Sequence, residues 1–96
     1  MISILYVDDE PDFLEISRLY LEKNRNFSVD TCRYAQDALN KITKNRYDII
    51  ISDYQMHGMN GIELLKNIRS KHGEIPIILF TGRGREDVVI DALNNG

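Results

Sequence analysis

The chain has a single cysteine, Cys32, only two prolines, and no apolar run long enough to cross a bilayer or serve as a secretory leader. A lone thiol excludes an intrachain disulfide, and the short runs exclude a membrane anchor, so a reducing cytoplasm is the expected setting. An excess of basic charge is missing as well. With a net charge of −3 and a pI near 5.3 the sequence has no basic face of the kind nucleic-acid binders carry, and no nucleic-acid partner is expected. Repeats, low-complexity tracts and linkers are likewise absent. Ninety-six residues make one domain, residues 1–96, and a chain of this size buries only roughly 60 to 65% of its unfolded surface.

What is present alternates regularly. The apolar run Ile2 to Val7 is followed by Asp8-Asp9-Glu10-Pro11, which offers N-cap candidates and a proline suited to a first helical turn. Phe13, Ile16 and Tyr20, supported by Leu14 and Leu21, then recur at helical spacing until Asn24-Arg25-Asn26. Phe27 to Cys32 alternates as a half-exposed edge strand does. Ala35, Ala38, Leu39 and Ile42 mark a second helix, and a third strand, roughly Asp48 to Ser52, leads to Asp53. Gly61, Leu64, Leu65 and Ile68 form the stripe of a third helix, closed by Gly73. Pro76 precedes a fourth strand, Ile77 to Thr81, and Val88, Val89, Ala92 and Leu93 define a last helix.

This βαβαβαβα order implies a parallel sheet with helices on both faces. The alternating second strand belongs at an edge, while the continuously apolar first, third and fourth strands read as covered on both faces. Right-handed crossovers then give the order 2-1-3-4, with helix one on one face and helices two, three and four on the other. One helix is too little cover for a four-stranded face. A further strand and helix are therefore expected beyond Gly96, and the exposed apolar face and strand edge are expected to drive self-association as a homodimer or larger species.

Asp8 and Asp9 end the first strand and Asp53 ends the third, and in open α/β sheets ligands gather outside the carboxyl ends of strands. The carboxylates are expected to meet there. They repel unless a cation sits among them, and an all-oxygen set suits Mg²⁺ or Ca²⁺ rather than zinc. A metal beside a spare carboxylate points to phosphoryl chemistry. Each residue also has a plainer reading. Asp8 or Glu10 could cap the first helix, Asp53 could serve a turn, and Thr81 could bond the backbone at a strand end. His57 and His72 have no partner at metal-ligand spacing, Met56 and Met59 read as loop anchors, and Gly82-Arg83-Gly84 lacks the spacing of a nucleotide-binding loop.

The whole chain resembles the receiver domain of two-component response regulators, a flavodoxin-like doubly wound fold, here lacking the final strand and helix. The resemblance is carried by Asp8-Asp9, Asp53, Thr81-Gly82 and the loop DYQMHGMNG from Asp53 to Gly61. It implies that Asp53 is the phosphoacceptor, that Asp9 and Asp53 ligate Mg²⁺ with Asp8 binding directly or through water, and that the backbone carbonyl of Gln55 completes the protein's share. It further implies that the Thr81 hydroxyl and the Gly82 amide hold the phosphoryl group. The implied partners are a sensor histidine kinase and the output domain of a longer parent, of which this would be an amino-terminal part; the implied role is a switch and not a turnover enzyme. The family's Lys and aromatic residue of strand five are not in this sequence, and Arg83 and Arg85 are the nearest cations in sequence. Metal binding with slow, poorly coupled phosphorylation is expected on that ground. The rival readings are an interaction module that no longer cycles phosphate, and a Mg²⁺-dependent phosphoesterase using the same carboxylates.

Overall fold

The structure, a computed structural model, describes residues 1–54, 56 and 58–80. Strands β1 (Ile2–Val7), β2 (Phe27–Cys32), β3 (Ile49–Asp53) and β4 (Ile77–Phe80) alternate with helices α1 (Pro11–Leu21), α2 (Ala35–Lys44) and α3 (Gly61–His72). The strands are all parallel in the order β2-β1-β3-β4. In register, Ile4 faces both Val29 and Ile49, and Ile50 faces Ile77. The expected architecture and strand order are observed; the expected last helix lies outside the described residues.

The pleat sends alternate side chains of β1 to opposite faces. Leu5 and Val7, with Ile50 of β3, meet Ala35, Ala38, Leu39 and Ile42 of α2 and Leu64 and Ile68 of α3, forming the larger core cluster. Ile4 and Tyr6 meet Leu14 of α1, Val29 and Phe80 on the other face. Burying a large apolar side chain contributes roughly 1.5–3 kcal/mol. The two clusters are therefore what hold helix layers to the sheet, and β1, flanked by strands on both sides, is buried from Ile4 to Val7.

Helix α2 buries the stripe its spacing announces, and Asp37 in its first turn and Lys41 and Lys44 in its last complement the helix dipole. Helix α3 begins with a reciprocal capping box: the Glu63 amide donates to Asn60 Oδ1 at 2.9 Å and the Asn60 amide donates to Glu63 Oε1 at 3.3 Å. Gly73, at φ 78°, ends it in a conformation that other residues adopt only with strain.

Helix α1 departs from expectation. Of its apolar residues only Leu14 is buried, whereas Ile16 and Tyr20 are 64% and 71% exposed. Two apolar rows compete on this helix, and α1 docks by the Leu14 row because β1 and β2 present Ile4, Tyr6 and Val29 to it. The open row borders a groove of about 370 Å³ between α1 and the β3–β4 side of the sheet, lined among others by Phe13, Ile16, Tyr20, Ile51 and Ile78. Strand β4 is also less covered than its apolar run suggests, with Ile77, Ile78 and Leu79 half-buried and only Phe80 fully so.

Candidate functional site

Val7 pairs with Ser52, so the residues that follow them, Asp8 and Asp53, emerge side by side at the carboxyl edge of the sheet. Pleat parity places Asp8 in phase with Ile4 and Tyr6 and Asp53 in phase with Ile49 and Ile51. The Asp8 amide continues the ladder to β2 by donating to the Cys32 carbonyl at 3.1 Å. The chain then turns: the Glu10 amide donates to Asp8 Oδ1 at 3.0 Å, and Pro11 opens α1. Glu10 occupies the N-cap position without a side-chain capping bond.

Asp8, Asp9 and Asp53 each offer an oxygen, and these atoms all lie within 4.8 Å of one another. Asp8 is fully buried, Asp53 is 5% exposed and Asp9 is half-buried. Removing ionised carboxylates from water is costly, and gathering them compounds the cost by mutual repulsion. The donor set fits a small hard dication: oxygen alone, anionic, convergent, and opening to solvent on the Asp9 side, which leaves room for water or substrate ligands. Neither nitrogen nor sulfur joins the cluster among the described residues, as a zinc site would require.

The floor of the site is tied to its neighbours. The Tyr54 amide donates to the Phe80 carbonyl at 2.5 Å and the Gly61 amide to the Tyr54 carbonyl at 2.9 Å, so the segment after Asp53 is clamped between β4 and the start of α3. Ser52, fully buried, donates its hydroxyl to the Asp53 carbonyl at 3.1 Å. Phe80, Tyr6 and Phe13 form a tilted aromatic trio beneath, with ring centroids 5.6 to 6.3 Å apart.

The expected carboxylates are thus brought together, while Gln55, His57, Thr81, Gly82, Arg83 and Arg85 lie outside the described residues. Sequence reasoning missed a cation. Arg33, in the loop after β2, donates to the Asp9 carbonyl at 3.4 Å and lies 5.4 Å from the centre of the Tyr34 ring. Its position just past the end of a parallel strand was the available signal, since every such loop opens on the same edge. Cys32, paired in register with Val7 next to the site, belongs to the core, and burial pushes its thiol up to about 12.

An open parallel α/β sheet with an oxygen-only acidic cluster at its carboxyl edge defines a class of phosphate- and metal-handling domains. Within that class the match is specific: the family described as response regulator receiver domain matches residues 4–96, and the chain belongs to that family. It is 39% identical over 84 residues to the transcriptional regulatory protein ResD of Bacillus subtilis, covering 88% of this chain and 34% of that protein. It is also 39% identical over 94 residues to the regulatory protein VanR of Enterococcus faecium, covering 98% of this chain and 40% of that protein. The chain therefore spans well under half the length of these relatives. Among solved structures, the Thermotoga maritima response regulator protein TrrA in complex with Mg²⁺-BeF is similar at a TM-score of 0.81 and 35% identity, covering 96% of this chain and 81% of that one. A Francisella response regulator receiver domain matches at a TM-score of 0.81 and 26% identity, covering 100% of this chain and 78% of the other. No helix among the described residues is long and apolar enough to cross a membrane.

Proposed function

We propose that this chain is the phosphoacceptor domain of a two-component relay, with Asp53 as acceptor. The observation that carries the reading is the convergence of Asp8, Asp9 and Asp53 within 4.8 Å at the carboxyl edge, with the acceptor fixed as the last residue of β3. An Asp53 carboxylate oxygen attacks the phosphorus of a phosphohistidine on a sensor histidine kinase. The P–N bond breaks, the imidazole leaves with the electron pair and takes up a proton, and the phosphoryl group remains on Asp53 as an acyl phosphate. Asp8, Asp9 and Asp53, with the Gln55 carbonyl, would hold Mg²⁺, which would neutralise charge on the phosphoryl oxygens. Asp8 and Asp9 orient and anchor. The Thr81 hydroxyl and the Gly82 amide donate to phosphoryl oxygens, and the changed state of the domain is passed to an output domain of a longer protein.

In this reading residues 1–96 form one cytoplasmic module, a switch that contributes no turnover beyond its own phosphorylation and dephosphorylation and does not itself contact nucleic acid. The exposed Ile16, Leu19 and Tyr20 of α1 support self-association through that face; sedimentation that finds only monomer at high concentration refutes it.

Intact-mass measurement after incubation with Mg²⁺ and a small-molecule phosphodonor tests the acceptor. One labile phosphoryl adduct is expected on the wild type and none on Asp53→Asn. An adduct that persists in Asp53→Asn, or a wild type that stays unmodified both alone and within its longer parent, overturns the proposal.

A further inference from the structure

Gly61 lies where three elements converge. A Cβ added there would stand 2.6 Å from the Asp53 carbonyl oxygen, 2.9 Å from Tyr54 Cα and 3.2 Å from Leu79 Cδ2. The first two are backbone atoms and cannot swing aside. Relief to ordinary van der Waals separation demands a shift on the order of half an ångström or more, whereas metal–ligand distances tolerate only about 0.2 Å.

That shift has to be taken up within the contact between α3 and β3. The start of α3 is held by the Asn60–Glu63 capping box and by Leu64 and Ile68, both within 1% of full burial. On the other side stands Asp53, the final residue of β3, whose carboxylate belongs to the acidic cluster. Asp53 is itself fastened, by its pairing with Phe80 and by the Tyr54 amide bond to the Phe80 carbonyl, so the shift is shared across the contact and reaches the backbone that carries the acceptor carboxylate.

We infer that Gly61 is a positioning residue for the phosphoryl-transfer site: by having no side chain it lets the first turn of α3 press against the Asp53 backbone and set where the acceptor carboxylate sits relative to Asp8 and Asp9. The inference rests on the proposed function and deepens it. It makes α3 a geometric reference for the site, although no side chain of α3 joins the acidic cluster. The Gly61 amide bond to the Tyr54 carbonyl at 2.9 Å completes the contact.

The test compares Gly61→Ala with Ile68→Val, which loosens the same helix within the core without touching the site. Mg²⁺ affinity is measured by calorimetry, the unfolding midpoint by circular dichroism, and adduct formation by mass. Gly61→Ala is expected to lose about tenfold or more in Mg²⁺ affinity, the scale on which supporting residues act on metal sites. Ile68→Val lowers the midpoint with Mg²⁺ affinity kept within about twofold. Equal Mg²⁺ affinity in Gly61→Ala and wild type, or equal losses in both variants, overturns the inference. Should Gly61→Ala yield no folded protein, Asn60→Ala carries the test: it frees the first turn without adding a Cβ at 61. A loss of Mg²⁺ affinity beyond that of Ile68→Val supports the inference, and none refutes it. A wild type that binds no Mg²⁺ and forms no adduct counts against the proposed function itself, a separate outcome.

Discussion

Replacing Asp8 by Asn should stabilise the metal-free protein, although Asp8 is fully buried and most substitutions at such positions destabilise. Two unit charges 4.8 Å apart repel by about 3.5 kcal/mol at an effective dielectric near 20. Asp8→Asn removes its repulsion with both Asp9 and Asp53 while keeping the side chain's shape and the oxygen that accepts the Glu10 amide at 3.0 Å. Solvent at the Asp9 side and the hydrogen bonds an ionised Asp8 makes offset much of that gain, leaving about 2 kcal/mol net. In a domain of this size that raises the unfolding midpoint by about 10 °C. Thermal unfolding in a chelator and again in Mg²⁺ is the assay. The order should then invert: at a concentration about a hundredfold above its dissociation constant, Mg²⁺ stabilises the wild type by about 2.7 kcal/mol, and the variant, short one anionic ligand, gains much less. A variant that melts at or below the wild type in chelator, or that gains as much from Mg²⁺, refutes the reasoning that the cluster is held together against its own charge.

Further outcomes follow from the core. Tyr47 is buried and its hydroxyl donates to Asp30 Oδ2 at 2.7 Å, so Tyr47→Phe should cost about 1–2 kcal/mol in urea unfolding, and an unchanged midpoint refutes the bond's contribution. Burial pushes the Cys32 thiol up to about 12, so a thiol reagent at pH 8 should label the native protein far more slowly than the unfolded chain; equal rates contradict the buried placement. Burial, then the Asp30 bond, raises the Tyr47 phenol as well. Both groups hold their protons in the folded state past the pH at which the unfolded chain releases them, at about 8.5 for Cys and 10 for Tyr. Stability should therefore be intact below about pH 8 and fall as pH rises through 9 to 11, with the alkaline loss reduced in Tyr47→Phe. A flat profile over that window excludes both shifts.

Much of the molecule was legible in residue order. The α2 stripe, the edge position of β2 and the buried run of β1 follow from periodicities of 3.6 and 2, which are local properties of the chain. Asp8, Asp9 and Asp53 could be placed together because parallel strands all deliver their carboxyl ends to one edge, a consequence of topology that needs no coordinates. The particular face of α1 could not be read. Ile16 and Tyr20 keep helical spacing with Phe13 as faithfully as Leu21 does with Leu14, and only the surface offered by Ile4, Tyr6, Val29 and Phe80 decided that Leu14 is buried, Phe13 and Leu21 pack beside it and Ile16 and Tyr20 stay exposed. Tyr47 gave no periodic signal, yet it fills the larger core and reaches Asp30 across the sheet, because a side chain between elements takes its place from the space the elements leave.

Residue order alone sets the alternation of strands and helices, the sheet order and the gathering of three carboxylates, since periodicity, chirality and strand direction follow from the covalent chain. How closely α3 approaches Asp53, that Arg33 reaches the Asp9 carbonyl, and that Ile16 and Tyr20 of α1 stay open come from the packed fold. Those are distances between segments remote in sequence, set by how side-chain volumes fill the space between layers, and no local pattern encodes them.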